Sequence, residues 1–354
     1  MVTPEVNLSP AHYQAFGLEI SSDLKLPELP LARSLDPSPE LVSIRAANHQ
    51  DWPPLQASPH SSATVQMAPG DWRLELEGVG WFRAFGGRQL SWQRWDDSVS
   101  DRDLRTFLVT SGLGALLIQR GALVLNGTTL VLDGKAVLLL GSPVSGKSTL
   151  AWCLLQQGWQ LLSSELSVVD SQGLVLPGLQ QLKLWHDSVV ALGLDWQQLP
   201  LVRRGLHRYA LGQGDIAVID QPIPLALIYG LGRMKSTNKK KEAEKPKEDS
   251  NANQEDEPRS PEQVLFKAWA RKSERAALLT LRNQAYQPRF YRAMQQEASL
   301  FLQASHLLKR VAVHELRAPD GITAMRTALE AVDLFNPDAL IEASEALAAT
   351  EIEA

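Results

Sequence analysis

The chain has 354 residues, 44% of them hydrophobic and 21% charged, with 35 Lys and Arg against 40 Asp and Glu and a formal net charge of −5. That is the balance of an ordinary folded chain with material for a sizeable core, and the length sets a prior of two to three domains. It excludes a mostly disordered or collagenous chain, and the acidic sign argues against broad binding to nucleic acid or anionic membranes.

Strands are predicted at residues 14–20, 41–46, 73–77, 81–85 and 89–92, where β-type residues alternate between Pro- and Ser-rich gaps. Five of the ten tryptophans, Trp52, Trp72, Trp81, Trp92 and Trp95, fall in this stretch. Filling the core of a β-rich region is their expected role, with a ligand-stacking surface as the alternative. Ser100 with Asp103 resembles a capping box and opens a helix with apolar positions Leu104, Phe107, Leu108, Leu116 and Leu117, closed by Gly121. Strands follow at 122–125, 128–132 and 135–140, the last two joined by Asp133-Gly134, a hairpin dipeptide. A helix is then expected through Gln157, stopped by Gly158, with a strand at 159–162.

Residues 233–262 hold eight Lys or Arg and eight Asp or Glu with almost no apolar residues, so a disordered charged insertion is expected. Folded pattern resumes at 276–281, with a helix expected at 288–309, a strand at 311–316 and an acidic, exposed helix at 338–354. The expected organisation is a β-rich region at 1–99, a nucleotide-binding core at 100–232, the insertion at 233–262, an α/β completion of the core at 263–336 and an acidic tail at 337–354. A single cysteine, Cys153, excludes an intramolecular disulfide and a cysteine-cluster zinc site. With no signal-peptide pattern and no apolar run near the ~20 residues of a membrane span, a cytoplasmic location without nucleic-acid or membrane partners is expected.

The chemistry is concentrated between the strand at 135–140 and the next helix. Gly141-Ser142-Pro143-Val144-Ser145-Gly146-Lys147-Ser148 fits G-x-x-x-x-G-K-[ST], the phosphate-loop pattern. Backbone N–H groups of a tight loop at a helix start form an anion site that the helix dipole reinforces. Gly146 lets the backbone approach phosphate closely, Lys147 is placed to neutralise β- and γ-phosphates, and the Ser148 hydroxyl to ligate Mg²⁺. The expected nucleotide site is this run together with Thr149, and the expected cofactors are ATP and Mg²⁺.

A carboxylate near the metal is expected past a neighbouring strand. Glu165, following Leu161-Leu162-Ser163-Ser164, is the candidate metal ligand and, with Lys147, the candidate catalytic residue; a solvated strand-end acid is the alternative. Asp170 reads as a turn residue before Gly173. Arg203, Arg204, His207 and Arg208 form a basic cluster, either a phosphate or acidic-partner contact or a solvated loop face. Lys183 alternates like a strand residue and either points toward the nucleotide or lies on an edge strand.

The run 126–133, the loop and Gly158-Trp159-Gln160-Leu161-Leu162-Ser163-Ser164-Glu165 resemble the carboxy-terminal domain of HPr serine kinase/phosphorylase. More closely, the chain resembles the broader HPr-kinase-like group that has an additional β-rich amino-terminal region. The resemblance continues through Leu176-Pro177-Gly178, Leu182-Lys183-Leu184-Trp185, Val202-Arg203-Arg204-Gly205-Leu206, Tyr209-Ala210-Leu211 and Gln287-Pro288-Arg289-Phe290. It covers nearly the whole chain apart from the insertion. It implies a core similar to phosphoenolpyruvate carboxykinase, bound Mg-ATP and phosphorylation of a protein serine.

Two positions depart from that family. Its members commonly place a histidine fifteen residues before the loop's first glycine, where this chain has Asn126, and two adjacent acids where it has Ser164-Glu165. Neither asparagine nor serine takes up a proton at neutral pH, and loss of a general base costs ~10²–10⁴ in rate. Nucleotide binding rests on other groups. The expectation is therefore an α/β protein with a mixed-sheet phosphate-loop kinase core and a β-rich amino-terminal region. Its expected activity is ATP-dependent phosphoryl transfer to a protein or peptide serine, weakened by the two replacements. The alternatives are a catalytically inactive ATP-binding module that regulates a partner protein, and a small-molecule kinase on the same core. Self-association is left open.

Overall fold

The computed structural model describes residues 10–33, 41–143, 145–212, 214–233, 267–269, 271–319, 321–330 and 333–339. Val144 of the loop, residues 234–262 of the expected insertion and the acidic tail beyond residue 339 lie outside the described residues.

The chain opens with a hairpin of β1 (Ala11–Ala15) and β2 (Leu18–Ser22). This corrects the single strand expected at 14–20. The turn is made by Phe16 and Gly17, both at positive φ (57° and 74°). An aromatic residue is an unusual occupant of that conformation. Phe16 is held there by its buried ring and by its N–H, which donates to the Pro177 carbonyl at 2.6 Å. β3 (Leu41–Ala46), β4 (Val65–Ala68), β5 (Asp71–Leu76), β6 (Gly80–Phe85) and β7 (Gln89–Arg94) complete a sheet in the order β1-β2-β3-β7-β6-β5-β4. β4 was not foreseen from the sequence. Of the five tryptophans here, Trp72 and Trp92 are buried as expected. Trp81 is stacked between His49 (4.1 Å) and Trp95 (4.5 Å), and Trp52 lies half-buried beside Arg73 and Arg83. The core-filling expectation is thereby corrected for these three.

Ser100 caps α1 (Asp101–Phe107) by accepting from the Asp103 N–H, and a π-helical turn, Leu108–Gly112, carries the chain into α2 (Leu113–Gln119). β8 (Val124–Leu125) leads to β9 (Gly127–Leu132) and β10 (Lys135–Leu140), which pair antiparallel about Asp133-Gly134 as the dipeptide indicates. α3 (Lys147–Leu155) follows the loop. Next come β11 (Gln160–Ser163), β12 (Ser167–Val169), β13 (Leu174–Leu176), β14 (Leu182–Trp185), α4 (His186–Ala191), β15 (Arg208–Leu211) and β16 (Ile223–Arg233). Asp170 makes the expected turn, its Oδ1 accepting from the N–H groups of Gln172 and Leu174.

After β17 (Lys267–Trp269) come α5 (Glu274–Gln284), α6 (Pro288–Ala293), α7 (Glu297–Leu308), β18 (Ala312–Ala318) and α8 (Ile322–Glu330). The single helix expected over 288–309 is two helices. Gln295, at φ 58°, ends α6 in a Schellman arrangement: Gln296 N–H donates to Tyr291 O and Gln295 N–H to Arg292 O. The Tyr291 hydroxyl fixes the break, accepting from Val124 N–H and donating to Ala122 O, each at 2.9 Å.

The second sheet runs β11-β9-β10-β16-β13-β12-β8, with β18 pairing β16 and β17 pairing β18. β10 is buried on both faces. Ala136, Leu138 and Leu140 enter a hydrophobic cluster shared with the first sheet, α2 and α5, whereas Val137 and Leu139 enter a second one with α3 and α8. Period-2 alternation thus lets one strand serve two cores. The protein is a mixed α/β fold with several sheets, and no described helix is long and apolar enough to cross a membrane.

Candidate functional site

β10 stops at Leu140, and the chain turns through the glycine-rich loop straight into α3. Gly141 sits against its neighbours so closely that a Cβ would lie 2.6 Å from Ser145 Oγ and 3.0 Å from the Leu231 carbonyl of β16. Gly146 precedes the helix at φ 92°, and its carbonyl accepts the Leu150 N–H at 2.9 Å. Between them Ser145 N–H donates to Ser142 O at 3.2 Å, while the buried Ser145 hydroxyl has no hydrogen-bond partner among the described residues. Pro143 is exposed at the loop's crest, and Ser148 and Thr149 stand half-buried in the first turn of α3.

Lys147 bends back over this loop. Its Nζ donates to Gly141 O at 2.6 Å and to Ser142 O at 3.0 Å. Burial first, then the Arg208 charge, push its ammonium down to about 8, against the opposing pull of Glu165. Lys147, Arg208 and Glu165 therefore share one electrostatic neighbourhood.

The other charges come from the β14–β15 ribbon, whose register sets Lys183 opposite Ala210 and Trp185 opposite Arg208. Lys183 is buried, its side chain 4% exposed, and its Nζ donates to Glu165 Oε2 at 2.6 Å. Arg208 Nη1 lies 3.1 Å from Glu165 Oε1. Arg208 also stands over the Trp185 ring at 5.6 Å, and that ring is half exposed. Glu165 itself takes a left-handed backbone (φ 61°) just past β11, a strain of about 1–2 kcal/mol that the two cation contacts help to hold. Burial pushes its carboxyl up; Lys183 and Arg208 more than offset this and leave it below the usual glutamate range.

The two departures sit beside this cluster. Gly127 pairs with Leu140, so Asn126 stands next to the start of the loop, its N–H donating to Gln284 O at 2.7 Å. Ser164 is buried; its hydroxyl donates to Gln181 O at 2.5 Å and its N–H to Leu179 O at 3.0 Å. The basic cluster divides. Arg203 lies over the Phe107 ring, Arg204 N–H donates to Asp103 Oδ1, His207 packs near His186, and Arg208 is the member that reaches Glu165.

Tyr286 was missed by sequence reasoning. Burial, with the Glu165 charge as a further cause, pushes its phenol up to about 12 against hydrogen bonds to Ser111 and Thr110. It stays neutral, near the carboxylate. Its neighbour Gln287, in a motif already singled out, was the available signal.

Chemically the loop mouth presents Lys147, Lys183 and Arg208 to one carboxylate, a positive excess suited to a polyanion. Both Glu165 oxygens are engaged by cations. No family model matches the chain, and no curated protein does. Among solved structures it is similar to the Hpr(Ser) kinase/phosphatase from Coxiella burnetii, at 15% identity and a TM-score of 0.21, over 59% of this chain and 88% of that chain. A likeness of that size carries no weight for fold or function.

Proposed function

We propose that this is an ATP-binding, HPr-kinase-like protein that takes Mg-ATP at residues 141–149 and transfers phosphoryl slowly to a protein or peptide serine. The observation that carries the reading is Lys147, folded onto the Gly141 and Ser142 carbonyls at the mouth of α3 with Arg208 and Glu165 in its field. A triphosphate offers that ammonium a charged acceptor in place of two neutral carbonyls, and charge-assisted bonds are roughly twice as strong. The N–H groups at the start of α3 add fixed donors. In this reading residues 100–232 and 263–336 form a phosphate-loop core similar to phosphoenolpyruvate carboxykinase, with residues 1–99 as a β-rich region beside it.

The donor set fits Mg²⁺ through Ser148, with the ligand's phosphate oxygens filling the rest of the shell; no group of three His, Cys, Asp or Glu among the described residues offers a cage of its own. The ion would neutralise developing charge on the phosphates. Glu165 becomes a metal ligand only by exchanging one of its cation contacts. Calorimetric titration with Mg-ATP tests the assignment: Lys147→Ala abolishes most of the binding while the melting temperature holds. Equal affinity in both proteins overturns it.

The paired state of Glu165 favours a second reading, a catalytically inactive ATP-binding module that regulates a partner protein. With both oxygens held, and with Asn126 and Ser164 in the family's acid–base positions, the loop mouth has no unengaged proton acceptor among these groups. Incubation with γ-labelled ATP and cell extract separates the readings. Label on protein supports transfer, and binding without label or free phosphate supports the module.

A further inference from the structure

Lys183 also lines a cavity of about 170 Å³, walled by the turn after β2, by α1, by residues 200–202 and by the β14–β15 ribbon. A cavity of about 150 Å³ is known to hold a benzene ring, so this one suits a ligand of roughly six non-hydrogen atoms. Its polar lining includes Glu28, Arg102, Arg105, Gln181 and Lys183. Two of the cations are already committed: Arg105 Nε bonds Glu28 Oε1 at 3.0 Å, and Lys183 bonds Glu165. Arg102 forms no ion pair with a described residue and is exposed at the rim. Glu28 is the reverse case. Its side chain is 8% exposed, its backbone is anchored by Gln180 N–H at 2.9 Å, and its Oε2 is buried with no hydrogen-bond partner among the described residues.

A buried carboxylate oxygen without a partner demands a donor, and an uncommitted guanidinium at the rim demands an anion. The geometry points to a second binding site, separate from the loop, for a small carboxylic acid bearing a hydroxyl or amino group on the adjacent carbon. The ligand's carboxylate takes the Arg102 fork and its hydroxyl or ammonium donates to Glu28 Oε2. A simple fatty acid satisfies only the first group; phosphate, which at neutral pH still carries an O–H, is the competing ligand that the titration separates.

Calorimetry of the full chain with L-lactate, L-serine, propionate and inorganic phosphate tests the site. Lactate and serine bind at least tenfold more tightly than propionate or phosphate. Arg102→Ala, a surface change that leaves the melting temperature in place, weakens lactate at least tenfold, and Glu28→Gln removes the preference for lactate over propionate. Lys147→Ala leaves lactate binding intact, so failure of the nucleotide assignment and failure of this site are distinct results. No heat with lactate or serine overturns the proposal, as do equal affinity for propionate, a preference for phosphate, or an unchanged Arg102→Ala titration.

Discussion

Lys147 Nζ donates to the Gly141 carbonyl at 2.6 Å, so the cation near the end of the loop is satisfied by the residue that begins it. A phosphate must displace that carbonyl, and it succeeds only while the amine is charged. With the ammonium pushed down to about 8, affinity for Mg-ATP is flat below that pH and falls as pH rises above it. Stability moves oppositely. The ordinary lysine value is 10.5, so between about 8 and 10.5 the unfolded chain binds more protons than the folded one and stability rises with pH. Titration calorimetry and thermal melts across that window check both slopes, and Lys147→Met flattens them.

The Gly141 contact is a second test of the loop. In Gly141→Ala the new Cβ meets the Leu231 carbonyl, part of a strand paired on both sides, so the loop rather than the strand gives way. The expected cost is about 1–3 kcal/mol of stability, read by urea unfolding, with at least a tenfold loss of Mg-ATP affinity. An alanine variant that binds normally means the loop does not touch phosphate in this conformation.

Glu165→Gln leaves Lys183 buried without its counter-charge. Breaking a pair of this kind costs about 3 kcal/mol. Nucleotide affinity rises, because Lys183 and Arg208 lose the carboxylate that pairs them among the described residues. The folded-state pKa of Glu165 lies below its ordinary 4.5, so its contribution to stability is fully present above that pH and is lost as pH falls through the depressed value. Acid unfolding of the variant lacks this component.

Introducing a histidine and an acid at the positions where the proposed function lacks a base tests the chemistry. Asn126→His with Ser164→Asp raises phosphoryl transfer or ATP hydrolysis by ~10²-fold, each single change doing less because the two act as a unit. The aspartate also exchanges a hydroxyl donor for a carboxylate facing Gln181 O, so it destabilises by about 1–3 kcal/mol. A folded double variant that binds ATP and remains inactive decides for the non-catalytic module.

Local signals were the legible ones. Asp133-Gly134, the Ser100 cap, the Asp170 turn and the glycine-rich loop each specify their conformation within a few residues, and the fold follows them. Phe16 and Gln295 take positive φ with no local cue; one is held by Pro177 and the other follows the α6 turn that Tyr291 pins to Val124. The pairing of Glu165 with Lys183 and Arg208 belongs to the same class. Sequence reading marked all three residues, but which arginine of the basic run would reach the carboxylate depended on the β14–β15 register, and that is set by packing.

β16 carries a consequence for synthesis. Leu227 pairs with Val137 on one side and with Ala312 on the other, and the strand ends beside the Gly141 loop. On a ribosome, β10 and its loop emerge early, but the strand that backs them keeps an open apolar edge until Ala318 has cleared the exit tunnel. The backing of the loop is therefore complete only after β18 has emerged. A chain stalled between β16 and β18 exposes its central strand to chaperones or to its own copies.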